Sequence, residues 1–238
     1  MRNIKLTIEY DGKEFNGWQK QPNKPNIQGE IENAIERITG EKVELYASGR
    51  TDAGVHAIAQ TANFKTNSNI SIEKLCLAIN SQLKSSIVIK EATEVDENFH
   101  CRYNCKGKKY RYIINNSANG SAIYRGLEYH MPVKLDVEKM KKAVKYFVGT
   151  HDFKAFKSSG TSSKSSVRQI YTAEVIEDGD RIKIELTGSG FLYNMVRIIS
   201  GTLVDVGLGK IKPEENKDRT KAGKTLPAHG LYLVEVYY

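Results

Sequence analysis

The chain has 238 residues, 39% hydrophobic and 27% charged, and Lys plus Arg exceed Asp plus Glu by 36 to 28, a net charge of +8. That length buries a substantial core as one large domain or two smaller ones, and the composition excludes a disordered or low-complexity chain. No apolar run approaches a membrane span, and the opening MRNIKLTIEY reads as a strand and not as a signal peptide, so a cytoplasmic protein is expected.

Residues 3–10 alternate Ile4, Leu6, Ile8 and Tyr10 on one face and run into Asp11-Gly12, a strand followed by a turn. Ile27, Ile31, Ala34, Ile35 and Ile38 then repeat at helical spacing, with Asn26 as N-cap and Gly40 as the stop. Residues 43–47 and 60–65 read as short strands, which puts 49–56 on the loop joining them. A second helix is predicted from Ser71, with Ile72, Leu75, Cys76, Ile79 and Leu83 on one face. Strands are expected at 86–92, 97–105 and 108–116, the last carrying Tyr110 and Tyr112 on one face and Arg111 and Ile113 on the other.

Asp136 caps a further helical stripe of Val137, Met140, Val144 and Phe147 that stops at Gly149. Residues 171–176 and 181–186 flank Glu177-Asp178-Gly179-Asp180, a hairpin signal, and a helix from about Gly190 carries Leu192, Met195, Val196, Ile199 and Leu203. Residues 229–238 close the chain as a strand. Strands and helices mixed with hairpins predict an α+β protein with a mainly antiparallel sheet, in two similar halves, 1–106 and 107–238.

Three cysteines, Cys76, Cys101 and Cys105, make no even set and show no zinc-site spacing, so reduced structural thiols are expected. His100 and Cys101 would point to opposite faces of an alternating strand, which argues against a metal there. Basic residues concentrate around Tyr110 (Lys106, Lys108, Lys109, Arg111) and in a late stretch (Lys210, Lys212, Lys217, Arg219, Lys221, Lys224), clusters suited to phosphates.

The segment Ser48-Gly49-Arg50-Thr51-Asp52-Ala53-Gly54-Val55-His56 gathers two glycines, a cation, a carboxylate and an imidazole on one loop. Gly49 and Gly54 would permit positive φ, and a nearby arginine would hold Asp52 ionised as a nucleophile. On the residues alone, Asp52 as a turn cap and Arg50 as a surface cation is the simpler account. Tyr110 is likewise a strand tyrosine, and the face of Arg197 is undetermined between Val196 and Ile198. His56 reads as a hydrogen-bonded structural histidine, and Phe15 and Trp18 fit either the core or RNA stacking.

The stretch ASGRTDAGVHAIAQTANF resembles the signature of the TruA family of tRNA pseudouridine synthases. YDGKEFNGWQKQP, KGKKYRYII, GTHDFKAF, GSGFLYNMVRIISGTLVDVG and AGKTLPAHGLYLVEVYY are similar to further blocks of that family in the same order. The resemblance implies the pseudouridine synthase fold with an active-site cleft between the halves, and an isomerase that turns uridine into pseudouridine at positions 38, 39 and 40 of the tRNA anticodon stem-loop. It implies Asp52 as the catalytic carboxylate, Arg197 as its partner, Tyr110 packed against the target base, and Arg50 helping to displace the nucleotide. It also implies a homodimer that needs no metal, nucleotide or other cofactor. The stretch 210–221 is shorter than the family's usual one, which leaves open a paralogue with another RNA target. A tRNA-binding protein without catalysis is the competing reading. A metal-dependent phosphate-ester hydrolase would need further carboxylates near Asp52, which the segment lacks.

Overall fold

A computed structural model describes residues 1–158, 160, 165–212 and 222–238. They group into two compact units, Met1–Lys106 with Leu233–Tyr238, and Gly107–Tyr232. The boundary expected at 106/107 differs from these units in one respect, since Leu233–Tyr238 belong with the first. Both units are α+β, with strands paired mainly antiparallel and backed by helices.

In the first unit β1 (Arg2–Tyr10) lies between β3 (His56–Thr66) and β4 (Ile87–Val95), antiparallel to both. Its predicted face is the core face, with Ile4, Leu6 and Ile8 fully buried. Helix α1 (Ile27–Thr39) begins where the Asn26 side chain accepts from Gly29 N and ends at Gly40, whose φ of 73° is open to glycine at little cost. Ile27, Ile31, Ala34 and Ile35 bury its apolar stripe, and each large side chain so buried contributes on the order of 1.5–3 kcal/mol. Helix α2 (Ile72–Asn80) buries Leu75 and Ile79, while Leu83 lies beyond its end.

Three expectations change. The strand over 43–47 shrinks to β2 (Tyr46–Ala47), paired with Asn63 and Ala62 of β3. β3 starts four residues earlier than predicted, at His56, so the polar loop delivers its histidine directly into a strand. Residues 97–105 form consecutive turns in place of a strand. Asp96 Oδ1 accepts from Asn98 N and Asn104 Oδ1 from His100 N, side-chain bonds that offer the backbone an alternative to a ladder. The strand argument about His100 and Cys101 therefore lapses. Cys101 is buried with its thiol donating to Tyr46 O at 3.0 Å, and among the described residues no group of three or more His, Cys, Asp or Glu could hold a metal ion.

In the second unit β5 (Gly107–Asn115) pairs antiparallel with β9 (Arg181–Gly188), which pairs with β8 (Val167–Asp178), which pairs with β7 (Gly149–Asp152). The predicted hairpin turn is Gly179-Asp180, with Gly179 at φ 57°. A short β6 (Tyr129–His130) joins β5 in parallel. Helix α3 (Val137–Val144) is capped by Asp136, which accepts from Lys139 N, and tightens into a 3-10 turn over Lys145–Phe147.

Helix α4 (Met195–Gly207) starts five residues later than predicted, after Asn194 at φ 61°. It is buried almost all round, and its polar Ser200 and Thr202 bond back to Val196 O and Ile198 O. The chain closes with β10 (Leu231–Tyr237), entered through a 3-10 turn at Ala228–Gly230. Among the described residues no helix is long and apolar enough to cross a membrane.

Candidate active site

Asp52 opens a tight turn in the loop between β2 and β3. Val55 N donates to Asp52 O at 3.1 Å, and Gly54 takes φ 77° at the third position, a conformation glycine adopts without strain. Gly49 is not in that region, so of the two glycines expected to take positive φ only Gly54 does.

The loop is clamped by the segment after β1. Trp18 N donates to Thr51 O at 3.0 Å and Gly54 N to Phe15 O at 3.3 Å. Two glycines permit that approach: a Cβ on Gly12 would stand 2.1 Å from Val55 O, and one on Gly17, itself at φ 88°, 2.5 Å from Thr51 O. Sequence reading missed this role for Gly12 and Gly17, although their spacing around Phe15 in YDGKEFNGW was the available signal.

Side chains complete the support. Buried Tyr10 shares a 2.7 Å hydrogen bond with Thr51 Oγ1, and burial pushes its phenol far above the usual range. Buried Gln60 accepts from Ser48 Oγ at 2.7 Å and donates to Gly49 O at 2.9 Å. Phe15 and Trp18 are core residues, 4% and 2% exposed, which excludes them as a stacking surface. His56 is buried, and Gly12 N donates to its Nδ1 at 3.0 Å. Asp11 Oδ1 lies 3.1 Å from the same nitrogen. Within this frame Asp52 is partly exposed, while Arg50 is exposed and makes no hydrogen bond or ion pair among the described residues.

Tyr110 and Arg197 belong to the second unit. Tyr110 stands on β5 opposite Leu186, half-buried, with its ring edge-on to Phe191 at 5.1 Å. The cations around it divide by face. Lys109 and Arg111 alternate to the other side of the strand, where both bind the buried carboxylate of Glu185, Arg111 Nε at 2.6 Å. Burial by itself would raise the Glu185 pKa, but these two cations pull it below the usual glutamate value. Lys109 and Arg111 are therefore joined in an ion-pair cluster with Glu185 on that face of the strand. Of the late basic stretch, Lys217, Arg219 and Lys221 lie outside the described residues, as does most of 210–221.

Arg197 is half-buried on α4 between the buried Val196 and Ile198. Its Nε donates to Leu226 O at 2.7 Å and its Nη1 to Asn194 Oδ1 at 2.6 Å. Asn194 is fixed in turn by donating to Ser158 Oγ at 3.0 Å. The Leu226 carbonyl is placed by a close backbone approach one turn along the helix, where a Cβ on Gly201 would meet Lys224 O at 1.9 Å and Gly223 N donates to Thr202 Oγ1. These bonds leave Nη2 of Arg197 uncommitted among the described residues. Its charge is felt by Tyr112, whose buried hydroxyl donates to Pro227 O at 2.8 Å, and by His229.

A family model described as tRNA pseudouridine synthase matches residues 6–104 and 143–238, which takes in Asp52 and Arg197. The chain belongs to the tRNA pseudouridine synthase family. Proteins named tRNA pseudouridine synthase A from Acetivibrio thermocellus and Caldicellulosiruptor saccharolyticus are each 54% identical to it over 244 aligned positions, covering the whole of both chains. One named tRNA pseudouridine synthase A 2, from Clostridium perfringens, is 52% identical over the same span. A chain of a Cbf5-Nop10-Gar1 complex has a TM-score of 0.40 at 11% identity, covering 96% of this chain and 57% of that one. As a member of the tRNA pseudouridine synthase family the chain is an isomerase with the pseudouridine synthase fold.

Proposed function

We propose that this tRNA pseudouridine synthase converts uridine to pseudouridine at positions 38, 39 and 40 of the tRNA anticodon stem-loop, with Asp52 as its catalytic carboxylate. The observation that supports this most is the full-length 54% identity to proteins named tRNA pseudouridine synthase A, on a chain that holds Asp52 in a loop clamped by backbone hydrogen bonds. The chemistry breaks the bond from uracil N1 to ribose C1′, turns the base, and joins C5 to C1′. The C5 proton leaves and N1 takes one up, so no electrons are exchanged and the reaction asks for no redox partner. One carboxylate, a cation and a pocket that retains the cleaved base meet its needs.

In this reading the uncommitted Nη2 of Arg197 serves Asp52 and keeps it ionised, since an opposite charge nearby favours the carboxylate. Tyr110 packs against the uracil. Arg50, exposed and uncommitted, takes the space vacated by the flipped nucleotide. A homodimer working on one tRNA in the cytoplasm completes the proposal, and the net charge of +8 suits a polyanionic substrate. A synthase with a different RNA target is the second reading, and it rests on the stretch 210–221, shorter than the family's usual one.

The wild-type protein is expected to release tritium from C5-labelled uridine in tRNA transcripts without added cofactor, and Asp52→Asn to bind the same tRNA but release none. Full release by Asp52→Asn would overturn the assignment. Primer-extension mapping of the product then locates the modified uridines, and sites outside 38–40 would replace the target.

A further inference from the structure

The loop 117–128 between β5 and β6 bends over an open cavity of about 610 Å³, whose lining includes Asn115, Asn119, Tyr124, Arg125, His130 and His229. That volume lies within the roughly 300–1,000 Å³ of ordinary ligand sites. The loop is braced by its own polar groups. Asn115 Oδ1 accepts from the amide and hydroxyl of Ser117, Ser117 Oγ accepts from Gly120 N, and Ser121 Oγ from Tyr124 N. Gly120 at φ 70° brings the turn onto the His130 ring, 3.2 Å from where a Cβ would lie.

The one buried acid in the wall is neutralised. Glu128 accepts from Arg181 Nε at 2.7 Å and from Asn115 Nδ2 at 2.5 Å, and the same Arg181 lies over the Tyr124 ring, 4.3 Å from its centroid. This leaves a net positive cavity. Arg125 is exposed and, like Asn119, makes no side-chain hydrogen bond or ion pair among the described residues. Tyr124, already backed by Arg181, keeps 45% of its surface exposed.

An aromatic face, an uncommitted guanidinium and amide groups are the means by which proteins hold single-stranded nucleotides: stacking for the base, charge for the phosphate, amides for the base edge. His229 ties the cavity to Arg197. Burial first, and then the Arg197 charge, lower its pKa, so its imidazole is held neutral as a hydrogen-bonding group within electrostatic reach of that arginine.

We propose that this cavity holds one unpaired RNA nucleotide flanking the uridine being isomerised, with Tyr124 stacked on its base and Arg125 bound to its phosphate. The inference rests on the function proposed above, in which Arg197 serves the catalytic carboxylate.

The test measures affinity of the full chain for a tRNA transcript across salt concentrations. Loss of one phosphate contact to a single strand lowers the slope of log affinity against log salt by about 0.7, so Arg125→Gln should show that drop and severalfold weaker binding. Tyr124→Leu should weaken binding without changing the slope, and should abolish the quenching of 2-aminopurine placed beside the modified uridine. An unchanged slope in Arg125→Gln, or equal quenching in Tyr124→Leu, overturns the proposal. So does a shift of the free protein to smaller assemblies in Ile123→Asp with tRNA affinity intact, which would make the loop a contact between copies of the chain. A wild-type protein that forms no pseudouridine would fail the function proposed above instead, while the salt slope still decides whether Arg125 meets RNA.

Discussion

Gly12 packs directly on the carbonyl of Val55, so closely that a methyl group in place of its hydrogen would lie 2.1 Å from the oxygen. The obstacle is backbone on both sides, so it cannot be relieved by a rotamer change. Gly12→Ala is expected to cost about 1–3 kcal/mol of stability, the usual range for over-packing, and to depress pseudouridine formation by moving the turn that begins at Asp52. Urea unfolding together with tritium release checks both. Wild-type stability in Gly12→Ala would mean that the loop gives way more easily than this contact allows.

How much of this was open to reading from the chain depends on the reach of each interaction. The bounds of α1 follow from Asn26 and Gly40, and the core face of β1 from Ile4, Leu6 and Ile8, because capping and alternation act within a few residues. Residues 97–105 form turns although the pattern predicts a strand there, because Phe99 and Tyr103 suit strands. The bonds from Asp96 and Asn104 that decide the matter depend on geometry and not on composition. In the site, the Asp52 segment stood out by motif, whereas the clamp by Gly12 and Gly17 joins segments some forty residues apart and leaves no local pattern. The commitment of Lys109 and Arg111 to Glu185 was hidden in the same way, since it depends on the β5–β9 register.

Glu185 gives a pH prediction. Its carboxyl is held below the ordinary value of 4.5 when folded, so the unfolded chain takes up the proton first as pH falls. The stabilisation is therefore complete above about pH 4.5 and is lost progressively below it, as pH falls through the folded value. Glu185→Gln should be less stable at neutral pH, leaving Lys109 and Arg111 without their counter-charge, and should lose less stability than wild type on acidification. Thermal melts from pH 7 to pH 3 compare the two; parallel curves would remove Glu185 from the account.

His229 offers a second titration, set by burial and then by Arg197. Its imidazole should titrate below 6.5 in the wild-type protein, as followed by NMR, and closer to 6.5 in Arg197→Gln. Because the folded value is depressed, the associated stability is present above pH 6.5 and declines as the unfolded chain begins to protonate. An unchanged His229 titration in Arg197→Gln would show that the arginine's field is screened at that ring.

Residues Leu233–Tyr238 belong to the first unit although the whole second unit precedes them in the chain. They enter through Leu233, fully buried, through the bond from Lys106 N to Tyr237 O at 2.8 Å, and through Tyr238, whose hydroxyl donates to Cys101 O at 2.9 Å. During synthesis the first hundred residues therefore leave the ribosome lacking a piece of their own core, and must wait for translation to pass through all of Gly107–Tyr232 before they can close. A chain cut just before Leu233 would leave the first unit without a buried leucine and without the bonds that Lys106 N and Cys101 O make to Tyr237 and Tyr238.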